Sequence, residues 1–530
     1  MAMRSLKAVL CLAACCAPPA QLSAQLSVGG KAQGKRSLPA PTRVIEQVRV
    51  YRLANQDRIV RELREFLSIP NVASDTPNIL RNAARLKEML EARGVETHLL
   101  SIEGRGPVVF GKLDELGATH TLIFYAHYDG QPVVPAEWTD RAPFEPVLRD
   151  KALEEGGKRI SFPEPGAGSS YRDDWRIYAR SASDDKSPIV AVLAALDGLR
   201  AKKIPLAVNL KFILDGEEEA GSPHLEETLR LHKNLLAGDL LVTGDGPVDP
   251  SGRPLLFFGN RGDVGLEITV YGPVRPLHSG HYGNWAPNPA LSLARLLAAM
   301  KDPDGRVLVP GYYDDIEPLG PRERAALEAM PANDAELERE LAIAKPDGAG
   351  RKLVELLTEP SLNIRGLKSA NVGEQATNVV PDRAVASLDA RLVKGQEPGE
   401  KFRQIAAFLR KQGAFVVDRE PTLEERREHP LVAKVVDEGG YRASRTPMDL
   451  PAAKAVVALM QAATGGRTVV APTLGGSVPM YIFEDLRLPW IGVPIVNYDN
   501  HQHSSDENLR LGHFWNGIEI YGALLAGLNW

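Results

Sequence analysis

Cysteine is scarce in this sequence, and all three cysteines, Cys11, Cys15 and Cys16, lie close to the N-terminus. The rest of the chain can therefore form neither a disulfide nor a thiolate metal site. No apolar run approaches the ~20 residues that a membrane-spanning helix needs. Lys and Arg are scattered rather than clustered and the net charge is -5, so nothing indicates a nucleic-acid-binding protein.

The N-terminus, in contrast, has the pattern of an export signal at residues 1–24. Arg4 and Lys7 precede a short apolar stretch at residues 8–14, and small residues follow. Cleavage after Ala24 fits this pattern. The alternative is a lipoprotein signal with a lipid anchor at Cys15, because residues 12–15 resemble a bacterial lipobox. We expect an exported protein, periplasmic or secreted, or one anchored at the membrane surface, with a flexible leader at residues 25–42.

The remaining chain is too long for one ordinary hydrophobic core, since the whole sequence has 530 residues. The continuous apolar run at residues 121–126 is typical of a strand buried on both faces, further buried strands are predicted at residues 206–214 and 240–243, and helical patterns alternate with them. This order predicts an α/β domain with a mixed, largely parallel sheet. We assign residues 43–262 and 431–530 to it.

A different pattern begins near residue 263. Residues 264–270 alternate apolar and polar, which is typical of a half-exposed antiparallel strand, and further strands are predicted at residues 361–364 and 384–392. Helical patterns cover residues 289–300 and 400–411. The sequence therefore predicts a smaller α+β module at residues 263–430, inserted into the α/β domain.

Polar residues that follow the predicted strands are almost all His, Asp or Glu. In chain order they are His127, Asp129, Asp184, Asp185, Glu218, Glu219 and Asp245, and the C-terminal loop adds His503. Such residues should meet at one sheet edge, and burying so many carboxylates costs several kcal/mol each unless cations neutralise them. A carboxylate and imidazole set without thiolate suits zinc, manganese or cobalt, and its size predicts two ions with one bridging carboxylate.

Several motifs carry a resemblance to a known family. In order they are AHYDG, SASDDKSP, GEEEAGS, TGDGP, LHSGHYG, ATNVVP, ARLV, LGGSVP and HSSDENL. With them the chain resembles the di-metal exopeptidases that include carnosinases, aminoacylases and glutamate carboxypeptidases. The resemblance implies a catalytic α/β domain with an inserted α+β lid and dimerisation domain. It also implies two divalent ions, with zinc expected and manganese or cobalt as alternatives.

The resemblance further implies a role for each residue of the predicted cluster. The first metal would take His127, Asp184 and Asp245, and the second would take Asp184, Glu219 and His503, so that Asp184 is the bridge. Glu218 matches the general base, and Asp129 matches the residue that orients His127. The peptide bond between Asp184 and Asp185 would be cis.

The same resemblance assigns residues that contact substrate. His278 corresponds to a histidine that polarises the substrate carbonyl and comes from the neighbouring subunit of a homodimer. Asn378 and Arg391 fall where the family binds the substrate carboxylate, and Gly475, Gly476 and Ser477 match a contact loop. The sequence departs from carnosinase-like members at Thr473 and Leu474, where those members carry an arginine and a glutamate, and at residues 151–173, which look like an extra insertion able to cover the crevice.

The leading hypothesis is a metallo-exopeptidase that cleaves short peptides with a free C-terminal carboxylate, of the dipeptidase or carboxypeptidase type. An N-acyl-amino-acid amidohydrolase is the alternative, since it would use Arg391 and Asn378 in the same way. A third, from another class, is a non-catalytic binding protein that keeps the fold. That class should have lost a ligand or Glu218, and the sequence retains all of them.

Overall fold

The computed structural model describes residues 38–101, 106–164 and 171–530. The predicted signal, its lipobox alternative and nearly all of the leader lie outside the described residues. Within the described part, no helix combines the length and the apolar character needed to cross a membrane.

The first segment of the chain supplies most of the α/β domain. Its helices are α1 (Pro41–Ala54), α2 (Gln56–Leu67), α3 (Thr76–Glu91), α4 (Lys186–Ala201) and α5 (Leu225–Leu231). Its strands are β1 (Glu96–Leu100), β2 (Val108–Leu113), β3 (Thr121–His127), β4 (Val147–Arg149), β5 (Arg159–Ile160), β6 (Arg176–Tyr178), β7 (Asn209–Asp215), β8 (Leu240–Thr243), β9 (Leu255–Phe257) and β10 (Gly259–Asn260).

The middle segment forms the inserted module, called the lid below. Its helices are α6 (Ser279–Tyr282), α7 (Pro289–Ala298), α8 (Pro321–Ala329), α9 (Asp334–Glu340), α10 (Leu353–Leu356), α11 (Pro398–Lys411) and α12 (Leu423–Glu428). Its strands are β11 (Gly262–Tyr271), β12 (Leu277–His278), β13 (Ser361–Lys368), β14 (Val379–Val380), β15 (Arg383–Leu392), β16 (Phe415–Val417) and β17 (Val432–Tyr441), and β18 (Ser444–Arg445) leads back to the α/β domain.

The last segment returns to the α/β domain. It contains helices α13 (Pro451–Thr464), α14 (Tyr481–Asp485) and α15 (Leu511–Gly527), with strands β19 (Val469–Ala471), β20 (Trp490–Gly492) and β21 (Asn508–Arg510). The two lobes pack within one unit, Pro39–Trp530.

The sheet of the α/β domain has the order β1-β2-β7-β3-β8-β20-β9-β19. Its centre is parallel, because β3 pairs in parallel with both β7 and β8, and β8 with β20, whereas β1, β2 and β7 pair antiparallel. Alternate side chains of β3 enter different cores: Phe124 packs on the side of α4 and α15, and Tyr125 on the side of α5 and α14. The mixed, largely parallel sheet buried on both faces is thus confirmed.

The lid has a sheet of order β13-β15-β11-β17-β16. All pairs are antiparallel except β16 with β17. Alternate residues of β11, such as Leu266 and Ile268, are buried against Leu293 of α7 and Ile405 of α11, and the residues between them are mostly half-exposed. One covered face and one open face produce the alternating pattern in the sequence.

The predicted second domain boundary at residue 430 is too early. Strand β17, Val432–Tyr441, pairs with β11 and therefore belongs to the lid, and the chain returns to the α/β domain at β18, which pairs with β10. The sequence analysis assigned no helix of the lid after the helical pattern at residues 400–411, whereas the charged residues 423–428 form α12 within the lid. A charged run marks an exposed element, and strand pairing decides which lobe that element joins.

Candidate active site

Three neighbouring parallel strands deliver acidic and histidine side chains to one edge of the large sheet. His127 is the last residue of β3, Glu218 and Glu219 lie in a short turn just after β7, and Asp245 follows β8. Asp184 reaches the same edge from the loop before α4, which begins at Lys186. The convergence expected from strand-end positions is present.

Asp184 lies at the centre of the cluster, with one oxygen toward each histidine. Its Oδ1 is 2.9 Å from His127 Nε2, and its Oδ2 is 3.1 Å from His503 Nε2. His503 Nε2 is also 3.4 Å from Glu219 Oε2. Donor atoms of His127, Asp184 and Glu219 all lie within 4.8 Å of one another, which makes them a candidate metal site. The peptide bond between Asp184 and Asp185 is cis.

The electrostatics of this edge suit cations. Burial together with the charge of Asp184 raises the pKa of Glu219 to about 8 and that of Asp245 to about 6. Burial also raises the pKa of Glu218 well above its usual range. The cluster thus contains more carboxyl groups than the positive charges of His127 and His503 could balance if all of those groups were ionised. Oxygen and nitrogen donors with surplus negative charge are the set expected for divalent zinc, manganese or cobalt.

Asp129 is placed to hold both the histidine and the acidic turn. It is fully buried, and its Oδ1 lies 3.4 Å from His127 Nδ1. Its two oxygens accept hydrogen bonds from the backbone N–H groups of Glu218 and Glu219, at 3.1 and 3.0 Å. Glu218 Oε2 in turn lies 4.0 Å from His127 Nε2, beside the candidate metal site but outside its trio of donors.

Three polar residues at this edge were missed by the sequence analysis. Glu507 is fully buried and accepts hydrogen bonds from the backbone N–H groups of Ser183 and Asp184, at 2.8 and 2.9 Å. Gln502 donates to Asp184 Oδ2 at 3.0 Å, and Gln131 donates to Glu219 Oε2 at 2.6 Å. Each belongs to or adjoins a motif already noted, but motif membership does not reveal which carboxylate an amide will contact.

The predicted substrate-binding residues fall into two groups. Arg391 of β15 donates from Nη1 to Ser477 Oγ at 2.7 Å, which joins the lid to the loop that contains Gly475 and Gly476. The backbone carbonyl of Gly476 accepts a hydrogen bond from Arg261 N at 3.1 Å, which fixes this loop against the start of β11. Arg391, Ser477 and the two glycines therefore form one region within a single chain.

His278 and Asn378 form the other group, on the lid. They are neighbours, because β12 pairs with β14 and Ser279 N donates to Asn378 O at 2.9 Å. Both side chains are exposed. The contacts recorded for the His278 ring are with Gly280 N and the ring of His281, both on the lid, and none joins it to the cluster around Asp184 in the described part of the chain.

The insertion at residues 151–173 is described except for residues 165–170. Strand β5 within it pairs with β4, just before it, and both belong to a small sheet with β6 and β21. Glu154 of the insertion lies 3.2 Å from His501, two residues before His503. The insertion therefore contacts the loop that carries a predicted metal ligand.

Comparisons with known proteins agree with this geometry. Residues 123–527 match the sequence model of Peptidase family M20/M25/M40, which is well over half of the chain. The chain belongs to this peptidase family. It is therefore a metal-dependent peptide hydrolase, and the hypothesis of a non-catalytic binding protein is wrong.

Individual relatives of the M20 chain are distant but similar over about two thirds of its length or more. It is 25% identical to human Beta-Ala-His dipeptidase, over 93% of this chain and 94% of the human protein. It is also 25% identical to the Cys-Gly metallodipeptidase of Schizosaccharomyces pombe, over 64% of this chain and 70% of that protein. Among solved structures, an M20 family metallo-carboxypeptidase from Sulfolobus solfataricus is 29% identical with a TM-score of 0.71, covering 88% of this chain and 98% of that one.

Proposed function

We propose that this M20 peptidase is a dipeptidase that hydrolyses short peptides with a free C-terminal carboxylate. The observation that carries the proposal is the position of Glu218, a largely but not fully buried carboxylate beside the candidate metal site and outside its trio of donors. A general base must be able to reach the attacking water, and it must not itself be a metal ligand. The similarity to proteins named as Beta-Ala-His and Cys-Gly dipeptidases supports a dipeptide as the substrate.

The residues that would hold two divalent ions, with zinc expected, are His127, Asp184, Asp245, Glu219 and His503. When bound, such ions lower the pKa of a water molecule and polarise a carbonyl oxygen. Glu218 accepts the proton of the attacking water and returns it to the leaving amine. The Asp129 carboxylate accepts a hydrogen bond from the backbone N–H of Glu218 and so keeps Glu218 in position. The same carboxylate keeps the His127 ring oriented.

The substrate carboxylate is assigned to Arg391 and Ser477. A guanidinium can bind a carboxylate with two parallel hydrogen bonds, and its charge remains at every relevant pH. The 2.7 Å contact with Ser477 holds the guanidinium against the loop of the α/β domain that contains Gly475 and Gly476. This arrangement would fix the C-terminal end of a peptide while its amide bond lies at the metals.

A homodimer is the second part of the proposal, with His278 and Asn378 acting on the partner's site. Exposed apolar side chains of the lid support a second copy as the occupant of this surface. Leu367 on the edge strand β13 is 60% exposed, and Trp285 and Val372 are 80% and 86% exposed. An exposed apolar edge strand favours pairing with another chain, and a two-fold pairing would bury the same patch on both copies.

The test of the proposed reaction is a substrate panel with metal-reconstituted protein. Dipeptides should be cleaved, N-acetyl-amino acids should be cleaved at least about a hundredfold more slowly, and chelation should abolish both reactions. Preference for the N-acetyl series would replace the dipeptidase assignment with the amidohydrolase alternative. Full activity in protein shown by elemental analysis to lack metal would remove the assignment altogether.

Export is the third part of the proposal, because of the basic start and short apolar stretch at residues 1–24. Mass spectrometry of the protein expressed in a bacterial host should find a mature chain that begins after Ala24, or a lipid-modified chain that begins at Cys15. The substitution Cys15→Ser separates the two outcomes, since it abolishes only lipid attachment. An intact N-terminus in the cytoplasmic fraction would contradict export.

A further inference from the structure

A pocket lies between the lid and the α/β domain, lined in part by Pro247 and Val248 of the loop that follows Asp245. Its volume is about 270 Å³, close to the lower end of small-ligand pockets. On the lid side it is lined by Met330, Leu337, Val354 and Leu357, which come from the charged, proline-rich stretch that contains α8, α9 and α10. A pocket of this size suits one side chain better than a whole ligand.

The polar groups around this pocket are already engaged with one another. Asp249 Oδ1 accepts a hydrogen bond from Ser251 N at 2.9 Å, and Asn333 Nδ2 lies within 3.4 Å of the same oxygen. Asp334 Oδ1 accepts from Leu353 N at 2.7 Å. Since these groups are satisfied, the surface left to a ligand is apolar.

Two loops of the candidate active site form walls of the pocket. Leu474 lines the pocket, and a Cβ placed on Gly246, the residue after Asp245, would lie 3.1 Å from Leu474 Cδ2. A Cβ on Gly475 would lie 3.0 Å from Cδ2 of Leu357. The loop that follows a predicted metal ligand and the loop that contacts Arg391 thus both border this apolar space.

We infer that this pocket is a subsite for an apolar side chain of the substrate, so that the enzyme selects dipeptides with a large aliphatic or aromatic residue. The inference rests on the proposed dipeptidase function. A side chain attached to a backbone held between Asp245 and Ser477 would enter the pocket past Leu474. Burial of that side chain supplies selectivity, since one methylene in an apolar pocket can change kcat/KM by about tenfold or more.

The test fills the pocket from its lid side. Val354→Trp should lower kcat/KM for leucine-containing dipeptides at least about tenfold while the value for Gly-Gly stays within about threefold. Leu-Gly and Gly-Leu are assayed separately, so the affected series identifies which residue of the dipeptide enters the pocket. Leu341→Trp is the matched control, because Leu341 is 61% exposed on the same stretch and does not line the pocket; it should leave all ratios unchanged.

A second variant tests the pocket in case Val354→Trp does not fold. Leu337→Asn places an amide in the pocket without adding bulk, and thermal unfolding confirms that each variant is folded. Equal loss for Gly-Gly and the leucine dipeptides in both variants, or no loss in either, would overturn the inference.

Failure of the proposed function is recognised separately. If the wild-type protein cleaves no dipeptide, the proposed function is wrong. The pocket is then tested by calorimetry, in which free leucine and free glycine are titrated into metal-loaded protein. Tighter leucine binding that Val354→Trp abolishes supports the subsite. Equal binding of leucine and glycine to the wild-type protein overturns it.

Discussion

The metal cluster and the His278 region are both expected to act on the same substrate, yet they differ in burial and in the segments that contact them. His127 is fully buried and Asp184 is 4% exposed, and hydrogen bonds reach them from several loops. His278 and Asn378 are exposed on the lid, and their recorded contacts there stay within the lid. One chain thus assembles its metal cluster, whereas the His278 region presents its side chains outward, as an interface to a second chain would require.

The largest effect is expected at the base beside the metals. Glu218→Gln should keep bound metal and lower kcat by about 10²–10⁴-fold, because the amide cannot accept the proton of the attacking water. Glu219→Gln is the matched neighbour and should reduce the metal content measured by elemental analysis. A loss of less than about tenfold in Glu218→Gln would assign the base to another residue.

The next effect concerns the exposed histidine. His278→Ala should lower kcat by about 10²-fold, because it removes a group that stabilises the developing oxyanion. When it is mixed with Glu218→Gln under conditions of subunit exchange, activity should return to about a quarter of wild type, since about half of the dimers are mixed and each has one good site of two.

The control for this experiment mixes Glu218→Gln with Glu219→Gln, which both damage the cluster of their own chain. That mixture should stay inactive. Absence of recovery in the His278→Ala mixture, despite exchange proven by labelled subunits, would place His278 in its own chain's site or outside the reaction.

A smaller effect is expected at Arg391, which joins the lid to the α/β domain through Ser477. Arg391→Lys keeps the positive charge but loses the paired hydrogen bonds to a carboxylate, so KM for dipeptides should rise about tenfold with a smaller change in kcat. A dipeptide amide, which lacks the carboxylate, serves as the control substrate, and its kcat/KM should change little. An equal loss for both substrates would mean that Arg391 supports the lid rather than the substrate.

The smallest effect is expected in the pH dependence of stability, and it arises from the burial of His513. Burial lowers the pKa of His513 from 6.5 to about 4, and its Nδ1 has no hydrogen-bond partner among the described residues. In the unfolded chain His513 binds a proton below about pH 6.5, whereas in the folded chain it binds one only below about pH 4. Stability should therefore fall as pH decreases through this window, by roughly 2–3 kcal/mol in the free energy of unfolding, and be unaffected above it.

Urea unfolding at several pH values checks this expectation. The difference in unfolding free energy between wild type and His513→Gln should change steadily from pH 6.5 to 4, because the variant has no group to protonate there. For the exposed His281→Gln on the lid the difference should stay within about 0.5 kcal/mol, as for most surface substitutions. A constant difference for His513→Gln would show that His513 titrates alike in both states.

The sequence by itself determined the two sheets and the position of the metal cluster. Strands buried on both faces are continuous apolar runs, half-exposed strands alternate, and both patterns are local properties that the chain records residue by residue. Parallel strands place their carboxyl ends at one edge, so His127, Glu219 and Asp245 had to meet there. The family motifs identify the same cluster residues without reference to the structure.

Tertiary structure alone decided the contacts between distant segments. Glu507 binds the backbone of Ser183 across 324 residues, and β17 joins the lid through pairing with β11 rather than through any feature of its own sequence. The apolar pocket arises in the same way, because Val354 and Leu474 meet only when the lid packs on the α/β domain. Periodicity fixes which face of an element is buried, and the partner that covers that face depends on packing that closes loops of a hundred residues or more.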